Sequence, residues 1–403
     1  MKKRIFLSTV DQGLLSVLNF SINIFLIKIW STEYYGVYSI IFALCIVQTG
    51  LQNALINTPY SVNFGQSKKN KFELINIFFC ILIPITISYI FLKIMSSIDI
   101  NYLYLFLYFF SFLYKEYLRN KWIVNKKINN ALVSDLSYII IILLSYSFIN
   151  LNTPQFDIDI NLFLIIFSMS GLISIIVGLK SEILSIISTP LSISLNYSST
   201  WKQSRWSLIG VMTTELQNRS YIFIITTFFG LEILGIIQAG RVFFGPLNLL
   251  ISGWGRVVRP VLAKLYQNNN IAKFKKIINI SYLSFLLVNI AFGFFIFLFW
   301  DVINSNLYDN KFDNILHIVI QWGVVNLFLH IRSVSSVGLQ ATNRFDLLSF
   351  ATVIGATSTL ISLSLIVYYN IPFYAISSII LSEILAFLII YQRLSMQLNK
   401  VIK

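Results

Sequence analysis

Apolar residues run along this chain in long stretches, and the polar residues inside them recur at helical spacing. Twelve stretches, at 10–30, 36–57, 74–96, 100–118, 131–150, 160–180, 206–229, 234–257, 279–300, 315–335, 347–369 and 372–391, stand out. Each is long enough to cross about 30 Å of hydrocarbon as a helix. The pattern predicts an all-α integral membrane protein of about twelve transmembrane helices. The longest connection, 181–205, precedes the seventh span, and nothing remains for a folded soluble domain.

Polar positions are unevenly shared among these spans. In span 1, Gln12, Ser16, Asn19 and Asn23 are spaced by 4, 3 and 4 residues and share one helix face. In span 8, Gln238, Arg241, Gly245, Asn248, Ser252, Arg256 and Arg259 follow at 3, 4, 3, 4, 4 and 3. At about 100° per residue, all seven fall within about 80° of one another. Span 2 carries Ser39, Ala43, Gly50, Asn53 and Asn57, and span 7 carries Glu215, Asn218 and Arg219. A polar face turned to lipid is costly, so these four faces are expected to meet each other or water. The simplest arrangement is a central aqueous cavity lined by spans 1, 2, 7 and 8. Close helix packing by small and polar residues explains span 2 equally well.

Composition agrees with a membrane protein and adds an orientation. The chain of 403 residues is 57% hydrophobic and 11% charged, with a mean hydropathy of +0.77. Placing the N-terminus in the cytoplasm puts 25 of the 30 Lys and Arg residues in inward connections, against Lys28, Lys93 and Lys311 outside. Both termini are then cytoplasmic by the positive-inside rule. The net charge of +14 follows from this topology, and no nucleic-acid partner is needed. Cys45 and Cys80 lie inside apolar stretches and read as core residues, without a disulfide or metal site. The basic start MKKR runs into a long segment without a short apolar core and cleavage site, so no cleavable signal is expected.

The two halves repeat. Glu33-Tyr34-Tyr35-Gly36, Pro59 and Lys71-Phe72 are matched in order by Glu232-Ile233-Leu234-Gly235, Pro260 and Lys273-Phe274. The Gly-to-Pro gaps are 23 and 25 residues, the Pro-to-Lys gaps 12 and 13, and Asn19 pairs with Asn218 at the same half-chain offset. Six spans per half make the halves cross in the same sense, a parallel repeat common in transporters. The expected domains are 1–200 and 201–403, each a six-helix bundle.

The chemistry points to binding. Arg219 and Arg241 lie within spans, with Arg256 and Arg259 towards the cytoplasmic mouth. A guanidinium stays charged and matches phosphate or carboxylate with a fork of donors, so such a cavity attracts an anion. Asn and Gln beside it suit hydroxyl-rich ligands. Arg219 also stands one turn from Glu215 and can form a static pair with it. Arg241 has no acid three or four residues away. Asp11, Glu215 and Glu383 are the intramembrane acids available for proton or Na⁺ coupling, or as partners for neighbouring helices. His317 and His330 read as capping or interfacial residues at the ends of span 10. No phosphate-binding glycine loop, Ser/His/Asp set or His/Cys metal spacing occurs. No catalytic residue, cofactor or metal is expected.

Several stretches carry a family resemblance. DQGLLSVLNFSINIFLIKIWSTEYYGVYSI (11–40) resembles the start of bacterial polysaccharide-repeat flippases, the O-antigen and capsule exporters. LQNALINTPYSV (51–62), WKQSRW (201–206), QAGRVFFGPLNLL and RVVRPVLAKLY support it, and with the span count the resemblance covers nearly the whole chain. These flippases belong to the multidrug/oligosaccharidyl-lipid/polysaccharide exporter superfamily. The resemblance implies two six-helix bundles in a V, alternating access, and a cavity lined by helices 1, 2, 7 and 8. It implies export of undecaprenyl-pyrophosphate-linked oligosaccharide across the bacterial inner membrane for O-antigen, lipopolysaccharide or other surface polysaccharide. The implied partners are the lipid-linked substrate, membrane lipid, a polysaccharide polymerase and chain-length proteins. The coupling ion, by contrast, matches no motif. Alternatives within the superfamily are a lipid II flippase or a drug/cation antiporter, and outside it a membrane polysaccharide polymerase. The last is disfavoured because the outward connections are short, the longest spanning 151–160.

Overall fold

The computed structural model describes residues 2–62, 70–95, 98–152, 159–179, 198–308, 311–312 and 315–402. Lys68, Lys69, Lys180 and Lys403, which count among the inward basic residues, lie outside the described residues, as does most of the 181–205 connection. The described elements are helical. In chain order they are α1 (Lys2–Ile29), α2 (Thr32–Gln52), α3 (Thr58–Val62), α4 (Asn70–Ile94), α5 (Tyr102–Val124), α6 (Ile128–Asn152) and α7 (Ile160–Leu179). There follow α8 (Ser198–Phe229), α9 (Leu231–Arg241), α10 (Gly245–Gln267), α11 (Ile271–Leu298), α12 (Trp300–Ile303), α13 (Ile315–Ala341), α14 (Phe345–Tyr368) and α15 (Ala375–Ile402).

Ten of the described helical segments are long and apolar enough to cross a membrane. Two expected spans fall below that mark. Helix α5 carries Lys115, Glu116, Arg119 and Lys121, and α8 carries Lys202, Arg205, Glu215 and Arg219. Two spans are also less regular than their periodicity suggested. Span 2 passes from α2 to α3 through a π-turn at Asn53–Asn57. Pro59, which follows it, has no N–H to close the preceding turn. Span 8 is broken by a 3₁₀ turn at Val242–Phe244. There Pro246 cannot donate to the Val242 carbonyl, so the chain tightens for one turn before α10 begins.

The chain divides into two compact units, Met1–Ile22 with Ile41–Met212, and Asn23–Ile40 with Thr213–Lys403. In the first, α5 packs on α4, α6 and α7, and Trp122, Tyr117, Ile56 and Ile175 form an apolar core. Gly178 leaves room for the Trp122 ring. Polar side chains inside this unit are bonded across helices: Gln52 donates to Asn76 Oδ1 (2.9 Å) and to the Leu113 carbonyl (3.0 Å). In the second unit, α13 is the hub, packing on α9, α10, α11 and α15, with Phe274, Leu262, Val334 and Ile390 at its core.

The sequence repeat has a physical counterpart inside the second unit. Gly36 and Gly235, equivalent positions of the two copies, pack backbone against backbone. A Cβ on Gly36 would run into the Leu231 carbonyl, and one on Gly235 into the Thr32 carbonyl. Thr32 and Leu231 each lie four residues before the glycine of their own copy, so the contact is reciprocal. Only glycine allows two helices to approach so closely.

Candidate functional site

Arg241 closes α9 at the 3₁₀ break, half-buried in the second unit. Its Nη1 donates to the Tyr221 hydroxyl at 3.4 Å, and its guanidinium carbon stands 5.2 Å from the centre of the Trp322 ring. Such a position over an aromatic face attracts a cation. The surroundings are rigid. Gln238 Nε2 donates to the same Tyr221 hydroxyl (3.0 Å), and the Trp322 indole N–H donates to the Ile237 carbonyl (2.8 Å). Tyr308 donates to the Ala239 carbonyl (3.1 Å). Tyr221, Trp322 and Tyr308 are all buried. Among the described residues, no carboxylate comes within ion-pair distance of Arg241. Its fork of donors is therefore oriented by Tyr221 and Trp322 rather than by a carboxylate.

Arg219, by contrast, is committed: its Nε lies 2.6 Å from Glu215 Oε2. The expected span 8 stripe is split by the 3₁₀ turn. Gln238 and Arg241 turn in towards Tyr221, while Asn248, Ser252, Arg256 and Arg259 are exposed along α10, flanking buried Leu247, Ile251 and Leu262. The span 1 face divides too. Gln12 and Asn19 line a cavity within the first unit, whereas Asn23 accepts from the Tyr35 hydroxyl (3.0 Å) in the second. Asn53 is exposed in the π-turn and accepts from Asn57 (2.7 Å).

Each acid considered for ion coupling has a basic partner. Beside the Glu215 pair, Asp11 accepts from Arg119 Nη2 (2.8 Å), and Glu383 accepts from Arg332 Nε (2.5 Å) and Gln217 Nε2 (3.2 Å). These partners were not singled out in the sequence. Lys115, Arg119 and Arg332 were assigned to cytoplasmic connections, yet they lie in α5 and α13 and form largely buried ion pairs. Asp135 was overlooked as an intramembrane acid; it is 2% exposed and pairs with Lys115 (2.9 Å) and Arg119 (3.1 Å). The readable signal was Lys115 and Arg119 one turn apart in an aromatic-rich helix. His330 is corrected as well: it is buried and hydrogen-bonded to Asn289, not a cap. His317 is exposed against the Tyr374 ring. Cys45 and Cys80 are buried free thiols. Among the described residues, no cluster of His, Cys, Asp and Glu is arranged to hold a metal ion.

No family model and no curated protein matches the sequence. Solved structures do match its fold. An inward-facing multidrug resistance MATE-family transporter of the MOP superfamily aligns over 95% of this chain and 94% of its own, with a TM-score of 0.70 and 11% identity. The lipid II flippase MurJ, in an inward closed conformation, aligns over 97% and 87%, with a TM-score of 0.70 and 16% identity. This chain shares the fold of these two proteins. A MOP-superfamily transporter from Pyrococcus furiosus aligns over 100% of this chain and 97% of its own, with a TM-score of 0.58 and 12% identity. The fold is a multi-pass helical scaffold with ten segments able to cross a membrane, and these solved transporters match it along nearly the whole chain.

Proposed function

We propose that this chain is a flippase of the bacterial cytoplasmic membrane that moves undecaprenyl-pyrophosphate-linked oligosaccharide repeat units from the inner to the outer leaflet. Residues 1–200 and 201–403 form the two halves that alternate access, with both termini cytoplasmic. Surface polysaccharide such as O-antigen is the end product, and polymerase and chain-length proteins are the partners downstream. The observation that carries this reading is Arg241: a cation held by Tyr221 and Trp322 with no carboxylate beside it among the described residues, in a fold shared with MOP transporters. Pyrophosphate or an acidic sugar is the anion it suits, and exposed Asn248, Ser252, Arg256 and Arg259 continue polar and basic character along α10. A drug/cation antiporter is disfavoured, because Asp11, Glu215 and Glu383 are all engaged by arginines. A lipid II flippase is the second reading, favoured by the likeness to MurJ.

Arg241→Ala is expected to lower surface polysaccharide by about tenfold or more at unchanged protein level, since a charge-assisted contact is worth about 1.5–3 kcal/mol. Arg241→Lys restores part of the loss, because an ammonium supplies the charge without the fork. Normal export by Arg241→Ala would remove the anion site. Complementation separates the two readings: rescue of a strain lacking its lipid II flippase, without rescue of one lacking its polysaccharide flippase, favours the second.

A further inference from the structure

We propose that a cavity inside the first unit, far along the chain from Arg241, is a binding pocket for one neutral pyranose ring. It rests on the oligosaccharide reading for its purpose, though its test does not.

The cavity has a volume of about 220 Å³ and lies among α1, α5, α6 and α7. A single water needs about 10–15 Å³ on this measure, and drug-sized sites begin near about 300 Å³. The space therefore suits one small ring. One wall carries a chain of ion pairs. Lys115 pairs with Asp135 (2.9 Å), and Arg119 bridges Asp135 (3.1 Å) and Asp11 (2.8 Å). Two cations thus face two buried carboxylates, with Glu116, more than a third exposed, beyond them at 3.9 Å from Arg119. A free cation would have to displace Lys115 or Arg119, and a free anion would have to displace a carboxylate. Neither kind of ion is invited.

The walls suit a hydroxyl-rich ring. Ser16 Oγ donates to the Gln12 carbonyl (2.7 Å) and Ser111 Oγ to the Tyr108 carbonyl (3.1 Å). Each hydroxyl proton is committed, so each oxygen offers lone pairs to a ligand hydroxyl. The Gln12 amide adds both a donor and an acceptor. Phe112 and Phe167 supply apolar surface for the C–H face of a sugar. Gly171 lets α7 pack directly against Ser111, since a Cβ there would fall on it. Mixed donors and acceptors, aromatic walls and buried ions that balance two against two, with the extra charge on Glu116 exposed and screened by water, together describe a neutral sugar site.

The test uses the full-length protein in lipid nanodiscs, free of sugar-headed detergent, carrying Asn19→Cys as a reporter at the cavity lining. Cys45 and Cys80 are 1% and 0% exposed, so background alkylation is low. Alkylation by N-ethylmaleimide is followed with D-glucose, D-galactose, D-mannose or N-acetyl-D-glucosamine at about 100 mM, which saturates a millimolar site. At least one hexopyranose is expected to slow labelling by about threefold or more, as a near-saturated site requires. Sorbitol and methylammonium chloride are expected to leave the rate unchanged, as is any sugar on Gln267→Cys, an exposed position at the end of α10. Adding Gln12→Leu is expected to abolish protection. Protection by none of the sugars, or equal protection by methylammonium, overturns the pocket. Ser16→Cys serves as the reporter if Asn19→Cys does not fold. Protection that persists in Arg241→Ala, or in a chain whose loss leaves surface polysaccharide unchanged, keeps the pocket while the export reading stands or falls separately.

Discussion

Gly235→Val sharply lowers the abundance and melting temperature of the protein in the membrane. The side chain would have to enter the space held by the Thr32 carbonyl, and main-chain atoms of a helix cannot move aside as a flexible side chain can. Overfilling a packed site costs about 1–3 kcal/mol, and more where backbone is the obstacle. Gly36→Val meets the Leu231 carbonyl and is expected to behave alike. Gly210 and Gly253 provide the controls, since a Cβ at either meets nothing within 4 Å. Alanine at those two positions is expected to be neutral or to stabilise by about 0.5–1 kcal/mol, the helix preference for alanine over glycine. Fluorescence-tagged protein, assayed for membrane level and thermal stability, reads all four. Wild-type stability of Gly235→Val would show that the helices are not held at this distance.

Glu383→Gln has the second large effect. Glu383 is completely buried and holds Arg332 at 2.5 Å, with Gln217 donating to its other oxygen at 3.2 Å. Removing the carboxylate leaves a guanidinium only 16% exposed without a counter-charge. Breaking one side of a buried pair costs about 3–5 kcal/mol, whereas replacing both partners is often neutral. Glu383→Gln is therefore expected to melt well below the parent, and Glu383→Gln with Arg332→Gln to recover most of the loss. Transport separates structure from coupling. If the double variant is stable and exports normally, the pair is a structural tie; if it is stable and inactive, the charge itself is used. A Glu383→Gln protein as stable as the parent would contradict the pairing.

Sequence patterns anticipated local structure far better than partnership. Helical stretches could be read because lipid demands continuous apolar segments, and their observed bounds mostly agree with expectation to within a turn or two. The repeat could be read because Gly36 and Gly235 stand in matched frames, and their contact gives that match a cause. The Glu215–Arg219 pair could be read because both partners lie on one helix. Asp11 and Arg119, 108 residues apart, could not be joined from periodicity, nor could Glu383 and Arg332, 51 apart. A straight-helix projection also carried the span 8 stripe through Pro246 without a break. The 3₁₀ turn there is why Gln238 and Arg241 leave the line of Asn248 to Arg259 and find Tyr221. The ions of α5 were missed for a related reason: cations near a span end look like loop charges until a buried Asp135 on another helix claims them.

The adjoining ends of α1 and α2, Asn23–Ile40, belong to the second unit although they are made well before the rest of it. Gly36 leaves the ribosome 199 residues ahead of Gly235, its packing partner. At about 5–20 residues per second, the gap is about 10–40 s of synthesis. Through that interval the glycine seam of the first helical hairpin lacks its partner helix. Assembly of this protein is thus post-insertional at its most intimate contact. A chain halted before residue 231 would hold a hairpin that cannot yet be finished, which makes that seam a natural mark for membrane quality control.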